Sequence, residues 1–386
     1  MTIGTEEARL LGWLEGQQEA MIELLGQLVN TDSGSFDLEG VDRVGHILRD
    51  QLERRGVVCA MIPCPEAGFC LRAEAVAAGA DGGHVLLLGH RDTVFPKGTA
   101  ALRPFMIEGT RAYGPGVADM KAGLVMHAFV LEAFARMGGA RHPLVGLFTS
   151  DEEIASPASR PVIEAAARGA RAVFNGEPAR PNGSIVRARK GALFLTIEVT
   201  GKAAHSGSSH DKGLSAIEEL CRKVVEIHAL TDYERGTTFN VGLIEGGQSI
   251  NTVAPRASAR LDVRFWTQAA MAEAEAAVAR VLKSTHLPGT TTRVTARGQF
   301  LPLEPSQASA VLFEHYVGCA AELGLTLGGE ATGGSADSGF TAAVGAPTVC
   351  GIGPVGEKAH APDECCHLDT LVPAAQALAL AIARLE

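Results

Sequence analysis

Two hydrophobic rhythms alternate along the chain. From about Gln17 to Glu177, short apolar runs lead into stretches with helical spacing, which is the pattern of an α/β layer. His84–Gly89 (HVLLLG), Leu144–Thr149 (LVGLFT) and Ala172–Asn175 (AVFN) read as buried strands. Lys121–Met137 has two apolar-rich faces and predicts a helix buried against a sheet; alanine-rich Val162–Arg168 predicts another. Near the start, Leu10, Leu11, Leu14, Ile22 and Leu25 recur at helical spacing among five glutamates and predict an amphipathic helix. The same texture returns late, as a helix from about Ser309 to Leu323, a strand at Thr348–Gly351 and a closing helix from Leu371.

The middle has a different rhythm. Leu193–Thr200, Thr238–Leu243, Ala257–Phe265 and Thr291–Ala296 alternate as half-exposed strands, with helical stretches at Leu214–Ala229 and Gln268–Lys283. This β-α-β-β-α-β order predicts a ferredoxin-like module over residues 183–297. It is inserted into a larger domain made of residues 1–182 and 298–386. Alternating strands imply one sheet face on helices and one exposed edge, a place where a second subunit pairs.

Length agrees with this division, because 386 residues exceed what one core usually organises. Aromatics at 5 % and a net charge of −10 remove the stacking platform and basic surface that nucleic-acid binding needs. No apolar run reaches the roughly eighteen residues of a membrane span. The acidic N-terminal segment is unlike a signal peptide, so the expected location is cytoplasmic. Eight cysteines form no CxxC pair and no disulfide framework, and adjacent Cys365 and Cys366 read as buried packing.

The candidate chemistry sits just beyond the predicted strands. His90 follows HVLLLG, Glu152 and Glu153 follow LFTSD, and Glu177 follows AVFNG. His360 lies a glycine-rich loop after the strand at Thr348, and Asp119 lies in GPGVADMKAG ahead of the buried helix. Ligands of open α/β sheets gather at the carboxyl ends of strands. Two histidines and four carboxylates at one edge suggest a metal site for zinc, manganese or cobalt. No short-range metal motif such as HExxH is present, so the signal is the joint placement.

Seven segments now stand in order: GHRDTVFP (Gly89–Pro96), GPGVADMKAG (Gly114–Gly123), TSDEE (Thr149–Glu153), NGEP (Asn175–Pro178), TGKAAHSG (Thr200–Gly207), GGSADSGF (Gly333–Phe340) and KAHAPDE (Lys358–Glu364). Together they resemble the di-zinc metallopeptidase family of carboxypeptidase G, aminoacylase, acetylornithine deacetylase and succinyl-diaminopimelate desuccinylase. The pattern around Glu177 and TGKAAHSG is most similar to the glutamate carboxypeptidase branch. The resemblance implies a mixed-sheet di-zinc exopeptidase-like domain with a lid and dimerisation module. It implies two divalent ions per subunit, one held by His90 and Glu177, the other by Glu153 and His360, with Asp119 bridging. It makes Glu152 the general base acting on a shared water, and Asp92 the partner that fixes the His90 tautomer. His205 would reach across a homodimer to stabilise the oxyanion. Asn251 and Arg264 would bind the free carboxylate of an N-acyl amino acid or short peptide, and Gly333, Gly334 and Ser335 would line the pocket.

Some residues depart from the family pattern. Arg91 stands where a small or aromatic residue is expected, and Asp337 is shifted by one position. Arg187, Arg189 and Lys190 face either an acidic substrate or water. The leading expectation is a glutamate carboxypeptidase-like hydrolase. An aminoacylase-like deacetylase is the alternative, and a catalytically silent binding protein is the reading from another class.

Overall fold

The structure, a computed structural model, describes residues 3–75 and 83–386. It divides into two compact units. The larger comprises Met1–Ala188, Pro305–Thr332 and Ala336–Glu386, the smaller Arg189–Glu304 with Gly333–Ser335.

The larger unit is built on an eight-stranded mixed sheet ordered Val58–Pro63, Phe69–Ala75, Leu144–Thr149, Val85–His90, Ala172–Asn175, Thr348–Cys350, Ile185–Arg189, Gly329–Thr332. The strands from Leu144–Thr149 to Thr348–Cys350 run parallel and are buried throughout, which explains their unbroken apolar sequences. The hairpin of the first two strands and the strand Ile185–Arg189 join antiparallel at the flanks.

The helix Ala122–Arg136 is buried from Ala122 to Phe134 and packs on this sheet, and the closing helix Leu371–Ala383 packs on it in turn. Leu14, Met21, Leu25 and Phe129 all lie in this core at 1 % exposure or less. Each such side chain contributes about 1.5–3 kcal/mol by leaving water. The expected N-terminal amphipathic helix is in fact two, Thr5–Glu15 and Gln18–Val29, interrupted at Gly16 and Gln17. The break turns the chain so that both leucine faces meet the same core.

A small antiparallel sheet ordered Gly356–Glu357, Cys365–His367, Arg111–Tyr113, Met106–Glu108 ties the C-terminal loop to the segment before Asp119. Cys365 and Cys366 are buried there as packing residues. Nearby, Glu357 accepts from His367 at 2.8 Å and from Arg111 at 3.3 Å, which leaves its charge already balanced.

The smaller unit is a four-stranded antiparallel sheet of Gly191–Thr200, Thr238–Gly246, Arg256–Phe265 and Thr291–Phe300, ordered second-third-first-fourth. The helices Ala216–His228 and Gln268–Lys283 pack against it. Leu220, Ile227, Ala274 and Val278 meet Ile197, Leu261 and Val263 in a separate core. This is the ferredoxin-like β-α-β-β-α-β arrangement.

The boundary falls later than residue 183, because Ile185–Arg189 pairs with Thr348–Cys350 in the large sheet. It also falls later than 297, because the last strand continues to Phe300. Gly333–Ser335 returns to the smaller unit through contacts with Arg189, Lys190 and Arg264. The second and fourth strands form two edges rather than the single one expected, and Leu243, Ile244 and Val294 are exposed on them.

Candidate metal centre

The four parallel strands all deliver chemistry at their carboxyl ends. His90 is the last residue of its strand, hydrogen-bonded in register with Thr149. Thr149 leads into a single turn of 3-10 helix at Glu152–Ile154, so consecutive Glu152 and Glu153 project in different directions. Glu177 follows Asn175 by two residues, and His360 lies in the loop after the strand at Thr348.

The structure gathers these groups into two triads sharing one member. His90 Nε2 lies 3.1 Å from Asp119 Oδ1 and 3.6 Å from Glu177 Oε1. His360 Nε2 lies 3.2 Å from the other oxygen of Asp119 and 3.2 Å from Glu153 Oε2. Within each triad the donor atoms lie within 4.8 Å of one another. Glu152 belongs to neither, its carboxylate standing 3.9 Å from His90 Nε2.

The donor set fits two divalent cations. Asp119, Glu152, Glu153 and Glu177 crowd four carboxylates around two imidazoles, a repulsion that bound cations relieve. Glu153 Oε1 is buried with no hydrogen-bond partner, a lone pair left for a ligand.

The electrostatics follow from this crowding. Burial opposes charge on Asp119, yet hydrogen bonds from His360 and His90 hold its carboxyl well below the usual carboxylate range. Burial pushes Glu152 well above that range, with Glu177, Asp337 and Glu153 adding to the rise and His90 opposing it. Burial and the charge of Asp119 raise Glu153 to about 7. Hydrogen bonds to Asp119 and Glu153 raise His360 to about 10. His90 resists protonation through burial, but Glu152, Asp119 and Asp92 still carry its basicity above the ordinary imidazole value.

Asp92 acts differently from the expectation. His90 Nδ1 meets the main-chain carbonyl of Asp92 at 3.0 Å, while the Asp92 carboxylate is 3.5 Å away. That carboxylate is engaged elsewhere, accepting from Glu152 N at 3.0 Å, Glu153 N at 3.1 Å and Ser35 Oγ at 2.7 Å. It therefore fixes the Glu152–Glu153 turn as well as standing behind His90.

Arg91 is a buried tie and does not face a substrate. It donates to the carbonyls of Val41, Thr149 and Phe69 and lies over the Phe69 ring.

Three positioning residues escaped the sequence reading. Glu364, 1 % exposed, accepts from the backbone N–H of Gly116, Ala118 and Asp119 at 3.1, 2.8 and 3.0 Å. It thereby clamps the loop carrying Asp119, and burial raises its carboxyl to about 7. Asp337, buried and raised to about 7 by burial, accepts from Thr149 and Ser156. Buried Lys121 donates to the carbonyls of Thr31 and Pro115, and burial lowers it to about 8. The only signal for Glu364 was its place in KAHAPDE, four residues after His360.

The remaining candidates, Arg187 apart, lie in the smaller unit. His205 is exposed, and its Nδ1 accepts from the N–H groups of Gly207 and Ser208 at 3.1 and 3.2 Å. Those bonds favour the tautomer with its proton on Nε2. Exposed Asn251 is beside it, its carbonyl accepting from Ser206 N at 3.0 Å. Arg264 makes a bidentate pair with Asp262 at 2.7 and 3.0 Å and donates to Ser335 Oγ at 3.1 Å. Its fork is thus occupied by an internal carboxylate. Lys190 lies over the Trp266 ring, Arg189 donates to the Gly334 and Ser335 carbonyls, and Arg187 is exposed in the larger unit. Neither Gly333 nor Gly334 has a positive φ or a neighbour that a Cβ would strike, so nothing within this chain requires glycine there.

Paired acid–imidazole triads at the carboxyl edge of a mixed α/β sheet, with one spare glutamate beside them, define a metal-dependent hydrolase. The chain belongs to peptidase family M20/M25/M40, whose model matches residues 86–384. It is 29 % identical over 349 residues to carboxypeptidase G2 of Pseudomonas sp. (strain RS-16), covering 89 % of this chain and 84 % of that protein. It is 31 % identical over 264 residues to acetylornithine deacetylase of Proteus mirabilis (strain HI4320), covering 63 % and 66 %. An M20 family metallo-carboxypeptidase from Sulfolobus solfataricus superposes with a TM-score of 0.76 at 19 % identity, over 94 % of this chain and 99 % of that one. The chain is accordingly a metallopeptidase or amidohydrolase acting on peptide or acyl-amino-acid bonds, in a family whose enzymes use divalent metals. No helix among the described residues is long and apolar enough to cross a membrane.

Proposed function

We propose that this enzyme releases an amino acid such as glutamate from an N-acyl or peptidyl precursor, by hydrolysing the amide bond beside the free carboxylate. The observation that carries the reading is the pair of triads joined through Asp119, with Glu152 next to them and outside both. The similarity to carboxypeptidase G2, which extends over most of both chains, supports the choice of substrate class.

In this reading His90, Asp119 and Glu177 hold one divalent ion, and Asp119, Glu153 and His360 the other, with zinc the first choice and manganese or cobalt the alternatives. Such ions, when bound, acidify a shared water and polarise the scissile carbonyl. Glu152 takes the proton of that water and delivers it to the leaving amine. Its burial, which raises proton affinity, suits a group that must hold the proton between the two steps. Asp92 keeps the Glu152 backbone in place through this exchange.

His205, with its proton on Nε2, serves as the oxyanion donor of a partner subunit in a homodimer formed through the exposed strand edges of the smaller unit. Asn251 and Arg264 receive the free carboxylate, and Ser335 of the pocket-lining segment Gly333–Ser335 orients the arginine. The bidentate pair of Arg264 with Asp262 supports this reading, since it is the geometry in which a guanidinium takes a carboxylate.

The test is hydrolysis of an N-acyl glutamate against the same compound with its α-carboxylate replaced by a carboxamide, in metal-reconstituted protein. A loss in kcat/KM of about 10- to 100-fold is expected on that replacement, since a hydrogen bond to a charged group contributes about 1.5–3 kcal/mol. Equal rates on the two compounds sink the carboxylate assignment. The similarity to acetylornithine deacetylase favours a second reading, removal of a small acyl group with recognition of the amine part. Acyl-group profiling separates the two.

A further inference from the structure

The hairpin of Val58–Pro63 and Phe69–Ala75 turns through exposed Pro65 and Glu66, and two thiols meet beneath that turn. Cys64 N donates to Gly68 O at 2.8 Å and Ala67 N to Cys64 O at 3.0 Å, which closes the turn. Ile62 pairs with Cys70, so Cys64, two residues after Ile62, shares a face of the ribbon with Cys70. The two sulfurs lie 3.2 Å apart, with Cys64 2 % and Cys70 0 % exposed. This is a hydrogen-bonded pair.

The pair is chemically asymmetric. The hydrogen bond from Cys70 lowers Cys64 to about 7 against the opposing effect of burial, and the same bond, with burial, drives Cys70 up. Arg91 and Asp151 are the charged groups that bear on both sulfurs, Arg91 favouring the thiolate and Asp151 opposing it. Cys64 is thus placed as the nucleophile and Cys70 as the resolving thiol.

The pair also adjoins the frame of the metal centre. Cys70 follows Phe69, whose carbonyl accepts from Arg91 and whose ring lies under the same guanidinium. Arg91 stands next to His90 and donates to Thr149 O at 3.2 Å, ahead of the Glu152–Glu153 turn. On the helix Leu38–Glu53, a Cβ on Gly45 would meet Arg91 at 2.0 Å and Phe69 at 2.7 Å. Neither group has room to move without the other.

We infer that Cys64 and Cys70 form an oxidation site that takes a hydroperoxide, closes to a disulfide and lowers hydrolase activity by displacing the Phe69–Arg91 tie. The Cys64 thiolate attacks the peroxide and the O–O bond breaks. Cys64 becomes a sulfenic acid, and the departing oxygen takes a proton to leave as water or an alcohol. The Cys70 sulfur then attacks that of Cys64, and its proton leaves with the sulfenic hydroxyl as water. Two thiols are oxidised and one hydroperoxide is reduced. Closure draws the sulfurs from 3.2 Å to the roughly 2.05 Å of a disulfide. A displacement of about 1 Å is on the scale that costs catalytic geometry up to about 100-fold.

The experiment treats the metal-reconstituted full chain with hydrogen peroxide, in a Cys221→Ser background that removes the exposed thiol. Cleavage after Glu66 separates Cys64 from Cys70, so under non-reducing conditions the two fragments stay joined only by the disulfide. Joined fragments and a fall of about 10-fold in kcat/KM on an N-acyl glutamate are expected, both reversed by dithiothreitol. The affinity of the oxidised, metal-free chain for zinc, read by calorimetry, should weaken about 10-fold as well. That second readout depends on the metallohydrolase class alone, so a wrong choice of substrate fails separately. Cys64→Ser and Cys70→Ala should each keep the untreated rate within about twofold and be insensitive to peroxide. Separate fragments after treatment overturn the inference, as do joined fragments with unmoved rate and zinc affinity. An equal loss of rate in Cys64→Ser also overturns it.

Discussion

The two groups of candidate residues are built to opposite specifications. In the larger unit, the places of Glu152, Glu153, Asp119 and His90 are each fixed by a second contact, while His360 is exposed. Asp92 pins the turn of Glu152 and Glu153, Glu364 pins the loop of Asp119, and the His90 ring is held by a main-chain carbonyl. In the smaller unit, His205 and Asn251 are exposed, and the fork of Arg264 is filled by its own neighbour. The difference follows from what each must hold. Mutually repelling carboxylates stay together only in a rigid frame, so a geometry suited to divalent ions is organised in advance. On the proposed reading a substrate carboxylate would arrive and leave, and groups that receive it can remain in water until then.

The largest expected effect breaks the chemistry without touching that frame. Glu152→Gln should lower kcat by about 10³-fold, the scale of general-base catalysis, while two metals per chain are retained by elemental analysis. An undiminished rate removes the assignment of the base. Next in size is a change to the frame of the smaller unit. Lys223 and Glu219 form a buried pair at 3.1 Å, and Glu219 also accepts from the backbone of His286 and Leu287 at 2.9 and 2.7 Å. Lys223→Ala strands that charge and should cost about 3–5 kcal/mol in thermal or urea unfolding. Since these residues hold no metal, the stoichiometry of bound metal should not change. Metal loss would show that the two units are coupled more tightly than their separate cores imply.

His205→Ala should act on rate and not on stability. The side chain is exposed, so the melting temperature should stay within about 1–2 °C, because exposed positions rarely matter by more than about 0.5 kcal/mol. Loss of an oxyanion donor should lower kcat by about 10²-fold with little change in KM. A fall in melting temperature with unchanged kcat would make it a structural loop residue.

What could be read from the sequence follows the same division. The shared location of His90, Glu152, Glu153 and Glu177 was legible because each ends or closely follows a buried apolar run, and a parallel sheet brings the ends of such runs together. The module was legible from alternation alone, down to the helix Gln268–Lys283. The hairpin strands Val58–Pro63 and Phe69–Ala75 were missed although VCAMIP is an apolar run and LRAEA alternates; the first is mostly exposed, against what an apolar run implies. The roles of Glu364 and Arg91 were hidden for another reason. Glu364 bonds to residues about 245 positions away, and Arg91 to carbonyls 22 to 58 positions away. No window of sequence contains such a contact. Acidic and basic residues in loops read as solvated by default, and only the fold shows them buried.

The last prediction uses the pre-organised frame itself. In the metal-free protein, carboxylate neighbours stabilise the cationic form of His360 up to about pH 10 and also raise His90. A folded value above the unfolded one, about 6.5, means this contribution to stability is complete below pH 6.5. It fades as pH rises toward 10. A metal ion needs the neutral imidazole, so an ion held by His360 would displace its proton. Near pH 8, an ion entering the His360 triad should therefore release about one proton, measurable by titration calorimetry in buffers of different ionisation enthalpy. Affinity at the His360 triad should rise about tenfold per pH unit between 7 and 10 and then level off. Below pH 7 the slope should steepen, because Glu153 then carries a proton as well. Binding without proton release would mean that His360 is neutral before the ion arrives. In that case its bonds to Asp119 and Glu153 in the metal-free protein would have to be weaker than the 3.2 Å contacts imply.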